Sequence, residues 1–167
     1  MIMRRTFHIG VIGAGACSQE LYAEARELGQ HIGRNKWVLF CGGLGGVMQG
    51  AAEGCSREAG MTVGLLPGNE KDSANPFIKL PIPTGLGEGR NLLVVRASDV
   101  VVAISGGYGT LSEIGLALRI GKPVVGLKTW SGIDGIEYVK TPEHAIDAVK
   151  RHLMSLKESL DIHSLFH

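Results

Sequence analysis

The chain has little of several features that mark special classes of protein. Only 5% of its 167 residues are aromatic, and 17 basic residues nearly balance 16 acidic ones. A net charge of +1 gives no sign of the clustered basic face that binds nucleic acid, so we expect no nucleic-acid partner. No apolar run reaches the roughly 18 residues that a membrane-spanning helix needs, so we expect no membrane partner.

Cysteine is also scarce. Cys17, Cys41 and Cys55 form no Cys-x-x-Cys pair, which argues against a disulfide framework and against a zinc ribbon. We expect them to be small buried thiols in a reducing compartment. The histidines lack metal-ligand spacing, so no metal site is predicted. Residues 1–7 are too short and polar for a signal peptide, and the expected location is cytoplasmic.

Glycine, by contrast, is abundant, with 25 residues in 167. The usual share is about 7%. The glycines cluster and do not form a low-complexity repeat, so they indicate tight turns and places where something approaches the backbone closely.

Short β-rich runs alternate with helical patterns, and residues 68–77 are typical of a loop. This alternation predicts right-handed βαβ units in an α/β, Rossmann-like, doubly wound parallel sheet with three α/β/α layers. We expect residues 1–167 to form a single nucleotide-binding domain of this type. The predicted strands are 7–12, 37–41, 62–66, 78–82, 100–104 and 124–127, and the predicted helices are 18–34, 47–58, 88–97, 111–120 and 142–156.

Three of the strand-to-helix turns are rich in glycine. The first, residues 13–18, begins like a Gly-x-Gly-x-x-Gly fingerprint but has Ser18 in place of the third glycine, and no acidic residue follows the second strand. A conventional NAD site is therefore not indicated, and Ser18 is a plausible helix N-cap. The second turn, residues 42–46, has four glycines in five positions. Either a ligand lies against bare backbone there, or the helix packs closely on the sheet.

The third turn, residues 105–110, follows the most apolar strand. Backbone N–H groups at such a turn point outward at a helix start, where the helix dipole favours anions. In open α/β sheets, ligands bind beyond the carboxyl ends of the strands, which is where all three turns are predicted to lie. The candidate phosphate- and nucleotide-binding residues are Gly13, Gly43, Gly45, Gly46, Met48, Arg90, Asn91, Gly106, Gly107, Tyr108, Gly109 and Thr110.

Glu113 and Arg90 are the candidate catalytic residues, and each also has a structural interpretation. Thr110 and Glu113 have the Thr-x-x-Glu spacing of a capping box, yet a carboxylate beside a phosphate-binding turn can also act on a sugar or a scissile bond. Arg90, at a glycine-rich helix start, either clamps phosphate or lies on the surface in solvent. Tyr108 either flanks a base or fills a loop position.

Residues 106–113 (GGYGTLSE) resemble the PGGxGTxxE motif of the LONELY GUY family, and residues 41–48 (CGGLGGVM) are similar to that family's GGGxxGLM segment. The resemblance extends from Ile9 to about Leu127. It is strongest to a short bacterial subgroup that also resembles the molybdenum cofactor carrier proteins. Ser105 replaces the motif's proline, and Gly89-Arg90-Asn91 replaces a longer arginine-lysine segment.

The resemblance implies a dimeric Rossmann-like protein that splits the N-glycosidic bond of a nucleoside 5′-monophosphate into a base and ribose 5-phosphate. It implies that Gly107, Gly109 and Thr110 hold phosphate and that Glu113 is catalytic together with Arg90. No cofactor is required for that reaction.

Two alternatives remain open at this point. One is a carrier that binds a phosphorylated cofactor, such as a molybdopterin, without chemistry; the other is an oligomeric sensor of a nucleotide. In each case the partner is a small phosphorylated ligand. A homodimer or larger homo-oligomer is expected, paired through apolar helix residues such as Leu92, Leu93 and Val95.

Overall fold

The computed structural model describes residues 6–164, which form one seven-stranded sheet with helices on both faces. The strands are β1 (His8–Gly13), β2 (Val38–Cys41), β3 (Met61–Leu66), β4 (Leu80–Pro83), β5 (Val100–Ile104), β6 (Val124–Leu127) and β7 (Ile136–Val139). The helices are α1 (Gln19–Arg34), α2 (Val47–Arg57), α3 (Asn91–Ala97), α4 (Tyr108–Arg119) and α5 (Pro142–Ser164).

The strand order is β4-β3-β2-β1-β5-β6-β7, and the pairings among the described strands are parallel. The predicted α/β, doubly wound, Rossmann-like fold is confirmed. From β1 the chain builds outward through β2 to β4, and then β5 returns to the other side of β1. The order therefore reverses between β1 and β5, which is where such folds place a ligand.

Strand β5 shows how the sequence produces the three layers. All five of its residues are buried, and successive side chains point to opposite faces of the sheet. Val100, Val102 and Ile104 join the core under α1, α2 and α5, whereas Val101 and Ala103 join the core under α3 and α4. A strand that is apolar at every position therefore lies at the centre of the sheet, with a core on each side.

Several boundaries differ from the sequence prediction. Helix α4 begins at Tyr108 instead of Leu111, and α5 continues to Ser164 instead of ending near residue 156. Residues 71–73 form a short 3-10 turn inside the predicted loop. Strand β7 was not predicted, because its four residues carry no strong alternation and only pairing with β6 defines them as a strand.

Strand β4 forms the other edge of the sheet, although two of its four residues are proline. Proline cannot donate a ladder hydrogen bond, so an edge strand is the position where it is tolerated.

Among the thiols, Cys41 and Cys55 are buried as expected, but Cys17 is only half-buried. No helix within residues 6–164 is both long and apolar enough to cross a bilayer.

Candidate functional site

A cleft of about 210 Å³ opens at the carboxyl edge of the sheet, where the strand order reverses. Its walls are formed by residues from β1, from the three glycine-rich turns and from the starts of α2, α3 and α4. The residues lining the cleft are Val11, Ile12, Gly13, Ala14, Gly15, Gly42, Met48, Arg90, Asn91, Gly107, Gly109, Thr110 and Glu113.

The third turn presents a helix start that the protein leaves uncapped. Gly107 is the N-cap of α4, and no side chain in the described part of the protein bonds to the amides at this end. The first amides of a helix have no partner within the helix, and the helix dipole adds positive charge there. The start of α4 is therefore arranged to receive an anion.

The capping-box interpretation of Thr110 and Glu113 is wrong. Because α4 begins at Tyr108, Thr110 lies inside the first turn and Glu113 lies one turn further on, too far along the helix to close a box at Gly107. Glu113 is 6% exposed and Thr110 is 4% exposed, and both line the cleft. Their burial beside the cleft, not helix capping, is what requires an explanation.

Gly107 and Gly109 differ from Gly106, the third glycine of the motif, in the space around them. A Cβ at either position would meet no described atom within 4 Å. Gly106, in contrast, has a φ of 102°, and a Cβ there would lie 2.7 Å from Cγ2 of Thr110. The turn needs glycine at position 106, whereas positions 107 and 109 leave open space in the cleft.

The second turn has a packing reason for each of its predicted glycines. Gly43 (φ +75°) would place a Cβ 2.7 Å from Cδ2 of Leu66, and Gly46 (φ +61°) would place one 2.6 Å from the carbonyl carbon of Gly15. A Cβ at Gly45 would lie 3.0 Å from the Gly15 oxygen. These three glycines are outside the set that lines the cleft, and close packing accounts for them: Gly43 packs on β3, and Gly45 and Gly46 pack on the first turn.

Arg90 is buried, not solvated, so the surface interpretation is wrong. It is 8% exposed, and its Nε has no hydrogen-bond partner among the described residues. Its guanidinium lies against the second turn, because a Cβ at Gly42 would be 2.6 Å from Cζ of Arg90. Burial lowers the pKa of Arg90, and the nearby Glu113, Cys41 and Glu88 act in the opposite direction. A buried guanidinium with a free donor is a strong candidate for binding an anion.

The Glu113 carboxyl shares the cleft with Arg90. Burial raises the pKa of Glu113 to about 7, although the Arg90 charge acts to lower it. Near neutral pH this group is therefore divided between its protonated and ionised forms. It can donate a hydrogen bond to a ligand oxygen in one form and accept one in the other.

The cleft also contains residues that the sequence did not single out. Ala14 and Gly15 belong to the first turn, and Val11 and Ile12 belong to β1. Gly15 resembles Gly107, since a Cβ there would meet no described atom within 4 Å. The Gly-x-Gly start of the first turn was the available signal, but the failure of the NAD fingerprint obscured it.

Other predicted residues lie elsewhere. Tyr108 is 82% exposed and outside the cleft lining, where it packs against Trp130. Ser18 caps α1 as predicted, by accepting a hydrogen bond from the Leu21 amide at 3.2 Å.

The apolar residues of α3 that were expected to pair two subunits differ in exposure. Val95 is fully buried in the protomer, so it is unable to contribute to a subunit interface, whereas Leu93 is 36% exposed. Among the side chains that the structure describes, residues 6–159, no group of three or more His, Cys, Asp or Glu is arranged to hold a metal ion.

Comparison with known proteins finds relatives that match most of the chain. A family model described as the SLOG cluster4 family matches residues 6–158. An uncharacterised protein of Archaeoglobus fulgidus is 43% identical over 143 residues, which are 86% of this chain and 94% of that protein.

Two solved structures are similar over most of their length. The molybdenum cofactor binding protein of the phototrophic bacterium Rippkaea orientalis is 35% identical, with a TM-score of 0.85 over 89% of this chain and 98% of that one. The molybdenum cofactor carrier protein of Chlamydomonas reinhardtii is 34% identical, with a TM-score of 0.81 over 90% of this chain and 99% of that one. The expected similarity to molybdenum cofactor carriers is confirmed, and the LONELY GUY assignment stays a prediction.

Proposed function

The chain belongs to the SLOG cluster4 family, and we propose that it is a binding protein that holds a small phosphorylated cofactor in the cleft between β1 and β5. The leading candidate for that cofactor is of the molybdopterin type. One observation carries the proposal: the uncapped start of α4 and the buried Arg90, with its unpartnered Nε, line the same cleft.

The phosphate group is held by complementary charge and hydrogen bonding. The free amides at the start of α4 and the Arg90 guanidinium supply donors and positive charge. Thr110 and Asn91 add polar side chains to the same walls. Gly107 and Gly109 leave the backbone bare, so that phosphate oxygens reach the amides without meeting a Cβ.

The relatives favour binding without turnover. The two solved structures named above are described as a molybdenum cofactor binding protein and a molybdenum cofactor carrier protein. Their sequence identity of 34–35% over most of each chain supports a similar ligand class here. The carrier hypothesis therefore has more support than the hydrolase hypothesis suggested by the LONELY GUY resemblance.

Retention of the ligand and its dependence on Arg90 provide the test. Protein purified from its host should carry a phosphorylated pterin that mass spectrometry detects, and Arg90→Ala should lose it. Arg96→Ala is the matched control, because Arg96 is exposed on α3 and lies outside the cleft. Wild-type protein that retains no phosphorylated molecule, and that binds neither phosphate nor pyrophosphate in calorimetry, would contradict the proposal.

A second function, hydrolysis of a nucleoside 5′-monophosphate, is favoured by one observation. Glu113 is a buried carboxyl in the cleft whose pKa is raised to about 7, which suits a group that donates a proton at neutral pH. In that reaction water adds to C1′ of the ribose as the C–N bond breaks. Glu113 gives its proton to the departing base and then takes up the proton that the attacking water releases, so that free base and ribose 5-phosphate are formed and the sugar phosphate remains on the α4 turn.

Glu113→Gln separates the two functions. For a hydrolase, the substitution removes the proton donor, so release of free base from a panel of nucleoside monophosphates should fall about 100-fold or more. For a carrier, wild type releases no base and the variant binds ligand with little change in affinity. Chromatographic detection of free base, with calorimetry on the same samples, distinguishes these outcomes.

A further inference from the structure

An aromatic pair, made of the exposed Tyr108 and the half-buried Trp130, lies beside the third turn and has no role in the site as described so far. Tyr108, the first residue of α4, is 82% exposed. Its ring centroid is 5.6 Å from that of Trp130, with an angle of 34° between the ring planes. An aromatic ring this exposed gains little from burial, so its presence at a helix start needs another explanation.

The indole of the pair is fixed to the same turn that receives the anion. Trp130 donates from Nε1 to the Gly107 carbonyl oxygen at 3.1 Å, and Gly107 lines the cleft. Thr129 also donates from its hydroxyl to the Ser105 carbonyl oxygen at 2.7 Å. The loop after β6 is therefore tied to the third turn at two successive residues.

A third aromatic residue holds the far side of this loop. Tyr138, on β7, donates its hydroxyl hydrogen to the Trp130 carbonyl oxygen at 2.8 Å, and its hydroxyl oxygen accepts from the Ile133 amide at 3.1 Å. Because the loop is fixed from both sides, the Trp130 ring is held in position before any ligand arrives. Groups ordered in advance lose less entropy when they bind.

We propose that Tyr108 and Trp130 form a stacking platform for the planar heterocycle of the phosphorylated ligand. The inference rests on the proposed function, since it assumes that a phosphate occupies the α4 turn. Gly107 joins the two parts of the site: it lines the cleft and accepts the hydrogen bond that positions Trp130. The ligand class is therefore a phosphate ester or anhydride that carries a purine, pterin or similar flat ring.

Stacking on aromatic side chains tolerates many heterocycles, because each flat ring has a π face to offer. The platform therefore sets a preference for flat rings over bare sugar phosphates. It does not require one particular pattern of hydrogen bonds on the ring.

Two probes that differ only in the heterocycle test the platform. Adenosine monophosphate and ribose 5-phosphate are titrated by calorimetry into wild type, Tyr108→Ala and Met154→Ala. Met154 is a control because it is exposed (64%) but lies on α5, away from the cleft. Tyr108→Ala should weaken adenosine monophosphate about 10- to 100-fold and leave ribose 5-phosphate unchanged, while Met154→Ala should change neither affinity.

Fluorescence gives an independent signal. The chain has two tryptophans, so Trp37→Phe leaves Trp130 as the single source of tryptophan emission. Adenosine monophosphate should then quench the emission, and ribose 5-phosphate should not. The calorimetric comparison on Tyr108→Ala does not depend on this variant, so it decides the question even if Trp37→Phe fails to fold.

Each outcome has a distinct meaning. If both probes bind wild type and Tyr108→Ala equally well, the platform is wrong while phosphate binding stands. If Tyr108→Ala weakens both probes by the same factor, the residue supports the turn and does not stack, which also overturns the platform. If wild type binds neither probe nor pyrophosphate, the proposed function fails and the platform fails with it.

Discussion

The second and third glycine-rich turns have similar sequences but use glycine for different purposes. Gly43 and Gly46 have positive φ angles and lie where a Cβ would collide with neighbouring atoms. Gly107 and Gly109 lie in open space. Packing requires glycine at positions 43 and 46 of the second turn and at position 106 of the third, but it does not require glycine at positions 107 and 109.

The amides of the two turns differ in the same way. In the second turn, the Gly43 amide donates to Sγ of Cys41 at 3.3 Å, and the Val47 amide donates to the Ala14 carbonyl oxygen at 3.0 Å. Neither α2 nor α4 has a side-chain N-cap, but the first amide of α4, that of Tyr108, has no hydrogen-bond partner among the described residues, unlike the Val47 amide at the start of α2. Glycine content alone therefore does not distinguish the two turns; the open space beside Gly107 and Gly109 and the unpartnered amide at the start of α4 make the third turn the candidate for binding an anion.

Gly46→Ala should produce the largest effect on stability. The substitution forces a side chain into the left-handed region and against the backbone of Gly15, so we expect a loss of about 3 kcal/mol or more in the free energy of unfolding. Urea unfolding followed by circular dichroism measures it. A loss below about 1 kcal/mol would show that packing does not require glycine here.

Glu113→Gln should change stability in a pH-dependent way. The folded-state pKa of about 7 lies above the ordinary value of 4.5, so the folded protein holds the proton more tightly than the unfolded chain. The contribution of Glu113 to the stability of wild type is therefore greatest below about pH 4.5, and it is lost as the pH rises through 7. The glutamine variant avoids this loss and should be more stable than wild type by up to about 3 kcal/mol at pH 8.

The measurement is a pair of urea titrations of wild type and Glu113→Gln, one at pH 8 and one at pH 5. The advantage of the variant should shrink markedly at pH 5, where wild type is also protonated. An equal difference at both pH values would show that the substitution acts by packing and not by the buried charge.

Gly109→Ala should separate stability from binding. Alanine favours a helix over glycine by up to about 1 kcal/mol, and no described atom lies within 4 Å of the added methyl group, so the variant should be slightly more stable. Pyrophosphate affinity should nevertheless fall, by about 10-fold, because the methyl group enters the ligand space. Thermal unfolding and calorimetry on one preparation measure both quantities, and unchanged affinity would remove the ligand explanation for this glycine.

Ser18→Ala should have the smallest effect and complete the comparison among the turns. Ser18 caps α1, so its loss should cost about 1 kcal/mol of stability. It lies outside the cleft lining, so pyrophosphate affinity should stay within error of wild type. A fall in affinity equal to that of Gly109→Ala would mean that the first turn also binds the anion.

Most of the fold could be predicted from the sequence, because the apolar run of each inner strand is long enough to identify that strand. It failed at β7, whose identity depends on pairing with β6. Within the site, motif spacing led to Gly107, Thr110 and Glu113, which line the cleft. Spacing was misleading for the capping box, because the helix start was misplaced by three residues, at Leu111 instead of Tyr108.

The burial of Arg90 and the environment of Gly42 could not be predicted from the sequence. Both follow from a contact between the second turn and the start of α3, which are separated by nearly 50 positions. The Tyr108–Trp130 pair likewise depends on the loop after β6 reaching back to the third turn. Contacts of this kind are products of the topology and carry no local pattern.

The most direct test of the account is a nuclear magnetic resonance titration of the labelled protein with pyrophosphate at pH 7. We expect shifts in the amide signals of Gly107, Gly109 and Thr110, with little change at Gly43 and Gly45. Unchanged signals across the third turn, or larger shifts in the second turn than in the third, would contradict it.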